Sequence, residues 1–175
     1  NSSTQSITVS INNLNDNSPA FSSGATFSAD ENQSAIGTVA SSDADGDDVT
    51  YSINGSEIAI NSSSGVINFV ADPDYETKTS YTATVTSSDG TNSTTQDITV
   101  NVNNLNDNSP VFTSDPTFSA AENQTAISTV TASDADGSSL SFSVSGSELA
   151  ITSAGALTFA TATDYETKAS YTATV

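Results

Sequence analysis

Cysteine, methionine, tryptophan, histidine and arginine are all missing from this 175-residue chain. Without cysteine no disulfide staples the fold, and cysteine usage says nothing about compartment. Without cysteine or histidine the usual Ser-His and Cys-His nucleophile systems are excluded, which argues against an enzyme. Zinc also loses its favoured ligands. Basic residues are nearly as scarce: Lys78 and Lys168 stand against 21 acidic residues, for a net charge of −19. Such a chain repels phosphate, so nucleic acid is excluded as a partner, and acidic membrane surfaces repel it too. No apolar run is long enough to insert directly into a membrane, and there is neither a signal peptide nor an initiator Met. The segment reads as cut from the interior of a longer protein, or processed.

What is abundant is Ser, Thr, Asn and Asp, and they recur. Asn13-Leu14-Asn15-Asp16-Asn17-Ser18-Pro19 returns unchanged, 91 positions on, as Asn104-Leu105-Asn106-Asp107-Asn108-Ser109-Pro110. At the same offset Glu31-Asn32-Gln33 matches Glu122-Asn123-Gln124, and Asp43-Ala44-Asp45-Gly46 matches Asp134-Ala135-Asp136-Gly137. One position is lost near residue 155, after which Asp74-Tyr75-Glu76-Thr77-Lys78 matches Asp164-Tyr165-Glu166-Thr167-Lys168. A period of this length means tandem modules of domain size. Asn and Asp offer hard oxygen ligands, so the repeated segment reads as a metal-binding linker.

The modules read as all-β. Tyr51 and Ile53 alternate with Ser52, Tyr81, Ala83 and Val85 with threonines, and Ile98, Val100 and Val102 with Thr99 and Asn101. Period-2 alternation marks strands with one buried face. About seven short strands per module predict a β-sandwich. Residues 1–12 match 92–103, so they are the last strand of a preceding repeat or a donor strand for another subunit. Repeat 1 spans 13–103 and repeat 2 spans 104–175. Val175 corresponds to Val85, so repeat 2 lacks its last strand.

Together, Glu31-Asn32, Asp43-Ala44-Asp45, Asp74-Tyr75-Glu76, Ser87-Ser88-Asp89-Gly90 and the Asn-Asp-Asn-Ser-Pro linker resemble the cadherin repeat, in the order that family carries them. Short repeats, Ser/Thr-rich strands and missing cysteines bring the chain nearer to bacterial cadherin-like modules than to animal cadherins. The resemblance implies tandem seven-stranded Greek-key β-sandwiches, cadherin- or Ig-like, set end to end. It also implies Ca2+, two or three ions per junction. At the central junction the ligands would be Glu31, Asp74, Glu76, Asn106, Asp107, Asp134 and Asp136, with backbone carbonyls from Leu105 and Asn108. Asn15, Asp16, Asn17, Asp43, Asp45 and Asp89 would form an upstream half-junction. Glu122, Asp164 and Glu166 would form a downstream one. The family's first linker Asp is Asn104 here, and Asn13 in the other copy. An amide brings an oxygen but no charge, which leaves the role of both residues open.

The implied function is a calcium-stiffened extracellular segment: an adhesin stalk, or a structural element of a cell surface or matrix. Its partners would be neighbouring repeats or identical subunits, then other surface proteins or glycans. A secreted filament joined by strand exchange through residues 1–12 is the alternative. A carbohydrate-binding module ranks below both, since tryptophan is absent. An EF-hand starting at Asp43 fails, because loop position six would be Asp48 and position twelve Asn54. Glu57 and Glu148 read as exposed strand-end or turn residues. Tyr81 and Tyr171 read as core packing or a tyrosine corner.

Overall fold

Alternation of apolar side chains with threonine and asparagine sets the two longest strands, Ser80–Ser88 and Ser93–Asn103. Along the second, Ile98, Val100 and Val102 are buried while Asn101 and Asn103 face water. Each such side chain removed from water stabilises the fold by about 1.5–3 kcal/mol. A computed structural model describes all residues, 1–175, and contains no helix. The chain forms two units, Asn1–Leu105 and Asn106–Val175, divided inside the repeated linker.

In the first unit the strands are β1 (Ala20–Phe21), β2 (Thr26–Asp30), β3 (Ala35–Thr38), β4 (Ser41–Ser42), β5 (Thr50–Ile53), β6 (Ile58–Ile60), β7 (Val66–Phe69), β8 (Ser80–Ser88) and β9 (Ser93–Asn103). One sheet runs β2-β9-β8-β5, with β2 parallel to β9. A second runs β3-β7-β6, and β1 pairs with β4 beside it. Seven strands become nine segments because two are broken. At the second break the Val39 N–H turns to the Gly65 carbonyl (2.9 Å) and the Ala40 carbonyl accepts from Ser22 N–H (2.8 Å). The strand thereby changes partner, from β7 to β1. Gly65 permits this: its φ is +69°, and a Cβ there would lie 2.1 Å from the Val39 oxygen. Between the sheets Val39, Tyr51, Ile58, Ile67, Phe69, Val85, Ile98 and Val100 make one core.

The second unit holds β10 (Val111–Phe112), β11 (Ala126–Thr129), β12 (Ala132–Ser133), β13 (Leu149–Ile151) and β14 (Ala156–Phe159). These give a β11-β14-β13 sheet and a β10-β12 pair. Residues 117–121, 141–144 and 171–175, counterparts of β2, β5 and β8, carry no ladder. Ser145 and Thr174 remain joined, by Ser145 N–H to the Thr174 carbonyl (2.8 Å) and Thr174 N–H to Ser145 Oγ (2.8 Å). In the first unit β9 is the strand on which β2 and β8 both pair, and residues 106–175 hold no sequence counterpart of it. Phe112 is 52% exposed, with its ring 6.4 Å from that of Phe142.

Residues 1–12, expected as a strand, are in no ladder, and Ile7, Val9 and Ile11 are exposed. A strand requires a partner, and nothing else in the first unit pairs with this stretch.

Candidate metal centres

Acidic groups gather at both ends of β9. Eleven residues at about 3.4 Å each put these ends ~35 Å apart.

At the end near Asn92, the turn after β4 folds against the first linker copy. Asp45 organises it: Oδ2 accepts the N–H groups of Asp16 (3.0 Å) and Asn17 (2.8 Å), and Oδ1 accepts Asn17 Nδ2 (2.9 Å). The backbone and side-chain donors of Asn17 hold the Asp45 carboxyl below its ordinary pKa. Asn13 donates its amide to the Asp45 carbonyl (2.8 Å). Asn92 Nδ2 donates to Asn15 Oδ1 (3.1 Å) and the Asn17 carbonyl (2.9 Å). Asp89, just past β8, takes the N–H groups of Thr91 (2.7 Å) and Asn92 (2.6 Å) on Oδ1, and the Asn92 bond leads in lowering its pKa. The upstream set Asn15, Asp16, Asn17, Asp43, Asp45 and Asp89 thus lies in one network.

Two oxygens in it have no partner. Asp43 Oδ2 and Asp89 Oδ2 are buried without a hydrogen bond. A desolvated carboxylate oxygen is costly unless a cation or donor meets it. The donor set is all oxygen, mixing carboxylate and amide, as Ca2+ prefers. The residues present therefore fit that ion.

At the other end Glu31 follows β2 and is 2% exposed. Its Oε2 accepts Tyr75 N–H (2.8 Å) and its Oε1 accepts Leu105 N–H (2.7 Å). Asn32 supplies the turn this requires, at φ +61° with its N–H on the Pro73 carbonyl (2.9 Å). Asn tolerates that left-handed region better than most residues, which gives the Glu-Asn pair a physical reason. Asp74 caps its own turn, accepting Glu76 N–H (3.1 Å) and Thr77 Oγ1 (2.9 Å). Oxygens of Glu31, Asp74 and Glu76 lie within 4.8 Å of one another. Leu105, expected through its carbonyl, here contributes its N–H.

The second unit repeats both arrangements. Asn108 donates N–H to Asp136 Oδ2 (2.8 Å) and Nδ2 to Asp136 Oδ1 (2.8 Å) and Asp107 Oδ1 (2.9 Å). Asp134 Oδ1 accepts Asp136 N–H (3.0 Å). Asn106 Oδ1 accepts Ser138 Oγ (3.0 Å). Glu122, Asp164 and Glu166 again bring oxygens within 4.8 Å, with Tyr165 N–H on Glu122 Oε2 (3.0 Å) and Asn123 at φ +60°. All three are exposed, whereas Glu31 is covered. The Thr167 hydroxyl leads in lowering the Asp164 pKa.

No family model matches the chain. Among curated proteins, human Protocadherin Fat 1 is 37% identical over 158 residues, covering 78% of this chain and 3% of that protein. Mouse Cadherin EGF LAG seven-pass G-type receptor 1 is 33% identical over 150 residues, covering 77% and 5%. The chain thus spans only a small fraction of these relatives. Among solved structures, human Protocadherin-24 EC1-2 superposes with a TM-score of 0.74 at 22% identity, covering 89% of this chain and 82% of that one. Protocadherin gammaB7 EC3-6 gives 0.74 at 26%, covering 90% and 46%. The two units are cadherin repeats.

Two features of these repeats escape the sequence reading. Glu57 and Glu148 are ion-paired at 2.5 Å with the chain's two lysines, Lys78 and Lys168. Each lysine also lies over a tyrosine ring, Tyr81 (4.2 Å) or Tyr171 (4.5 Å), which packs edge-on against Phe69 or Phe159. The signal was the shared recurrence of Glu, Lys and Tyr. The second feature is Asp47, an oxygen of which lies within 4.8 Å of oxygens of Asp43 and Asp45. Desolvation, then the charges of Asp43, Asp45, Asp89 and Asp48, raise its pKa. It stood in the sequence only as part of the rejected EF-hand.

Proposed function

We propose that these cadherin repeats form part of a calcium-stiffened extracellular stalk that spaces or joins surfaces. The observation that carries this reading is the pair of buried, unpartnered oxygens on Asp43 and Asp89, set in an all-oxygen network. Asn106, Asp107, Asp134 and Asp136 recur in the second repeat at the positions of Asn15, Asp16, Asp43 and Asp45. Glu31, Asp74 and Glu76 of the first repeat, Asn106 and Asp107 of the linker, and Asp134 and Asp136 of the second would share two or three Ca2+. Six of these residues are carboxylates, which repel when crowded, and three divalent ions cancel six charges. Held by ions on both sides, the linker fixes the angle between repeats, so an array behaves as a rod. Freed of them, it becomes a polar tether. Neighbouring repeats or second copies are the nearest partners, with surface proteins or glycans beyond them.

Residues 1–12 favour a second reading. Their exposed Ile7, Val9 and Ile11 copy the buried alternation of β9. Such a strand suits the β9 place in another repeat, preceding it in one chain or belonging to another copy, the latter giving a strand-exchanged filament.

Chelation tests the calcium reading. It should lower the melting temperature and broaden the small-angle scattering profile, and Asp107→Ala with Asp134→Ala should do the same in the presence of calcium. An unchanged profile after chelation sinks the reading. A normal calcium stoichiometry in the double variant sinks the ligand assignment.

A further inference from the structure

We propose that Glu57 and Lys78 are positioning residues: together they clasp the mouth of the loop that carries Asp74 and Glu76, and so set how tightly that loop takes Ca2+. This rests on the calcium reading above.

The loop, residues 70–79, leaves β7 after Phe69 and rejoins the sheets at β8. Glu57, the residue before β6, holds both of its ends. Its backbone carbonyl accepts Val70 N–H (2.9 Å), where the loop starts. Its carboxylate takes the Lys78 ammonium at 2.5 and 2.7 Å, where the loop closes. Lys78 is fixed in turn. Its N–H donates to the Asp74 carbonyl (2.8 Å), and its Nζ lies 4.2 Å from the centre of the Tyr81 ring. That ring meets Phe69 edge-on, with centroids 4.9 Å apart, and Phe69 belongs to the core. Phe69 ends β7 and Tyr81 stands second in β8, so the ring pair spans the same mouth.

The second repeat carries the same clasp. The Glu148 carbonyl accepts Ala160 N–H (2.9 Å), its carboxylate takes Lys168 (2.5 Å), and Lys168 N–H donates to the Asp164 carbonyl (3.0 Å).

A half-exposed ion pair adds little to the stability of a fold. Its leverage lies in the loop. Ligands held in place before the ion arrives leave less chain to be ordered when it binds. Charge alone argues the other way. Lys78 is the sole cation of the first repeat, and like charges repel, so its removal should favour Ca2+. Position and charge therefore predict opposite signs for one substitution.

The test follows the amide NMR signals of Tyr75, Glu76 and Thr77 in the whole 175-residue chain. Lys78→Gln should raise the calcium concentration that half-saturates their shifts by about threefold to tenfold, less than the usual loss of a ligand's direct partner. Glu57→Gln should act in the same direction, and the double variant should weaken binding no more than the worse of the two. In chelator, the same three amides should exchange with solvent several-fold faster in Lys78→Gln, with the β9 amides unchanged. If Lys78→Gln takes calcium as tightly as the wild type or more tightly, the clasp is overturned and the calcium reading stands. Unchanged exchange of the three amides overturns the clasp as well. If the wild-type signals ignore calcium, both readings fall.

Discussion

The two cadherin repeats are near copies in sequence and differ in how much apolar surface they bury within residues 1–175. In the first, ten apolar residues are buried in one cluster. In the second, Val130 and Leu157 alone reach that state. The local devices match across the two. Gly155, at φ +90°, would place a Cβ 2.2 Å from the Val130 oxygen, as Gly65 does beside Val39. The Phe159–Tyr171 pair (5.1 Å) repeats Phe69–Tyr81 (4.9 Å). What differs is one sheet. In the first repeat β9 is bonded on one side to β2 and on the other to β8, and it brings Ile98, Val100 and Val102 to the core. These close approaches and aromatic pairs therefore form without the β9 strand. Burial is cooperative and hangs on the one strand that links the others.

Core truncation probes that comparison with the largest effect. Ile67 is 0% exposed and its counterpart Leu157 is 6% exposed. Ile67→Ala should cost about 3–4 kcal/mol, because the packed sheets around it cannot collapse onto the cavity. Leu157→Ala should cost about 2 kcal/mol, since a site with fewer packed neighbours relaxes more readily. Amide hydrogen exchange, read separately for the two repeats, measures both. Equal costs would mean that the second repeat is as firmly packed as the first.

The parts legible in the sequence were those that recur in order. Five motifs with fixed spacing placed the acidic residues, and period-2 alternation placed β8 and β9. Strand breaks were not legible, because the Val39–Gly65 bond that splits β3 from β4 joins distant positions. Nor was the contrast between buried Glu31 and exposed Glu122. It depends on the linker folding back so that Leu105 N–H meets the carboxylate. Asp47 was missed because only the spatial overlap of its oxygen with those of Asp43 and Asp45 separates it from an ordinary surface acid. Asn32 shows the reverse case. The motif was visible in sequence, but the reason for it is a left-handed turn seen only in the backbone.

A finer probe exploits a paired difference inside the two cores. Tyr51 is 8% exposed, and its hydroxyl accepts the Ser41 N–H (2.8 Å) and meets Ser41 Oγ (3.0 Å). Ser41 Oγ in turn lies 2.6 Å from Ser87 Oγ, and Ser87 is fully buried. In the second repeat the matching residues are Phe142 and Ala132, so hydroxyl and partner are lost together. A buried polar chain is neutral when every member is satisfied and costly when one is removed. Tyr51→Phe alone should therefore cost about 1–2 kcal/mol by urea denaturation, through the stranded Ser41 and Ser87 groups. Adding Ser41→Ala and Ser87→Ala should recover most of that loss, because the apolar version is then complete, as it is around Phe142. A triple variant less stable than the single one would show that these hydroxyls contribute net stability.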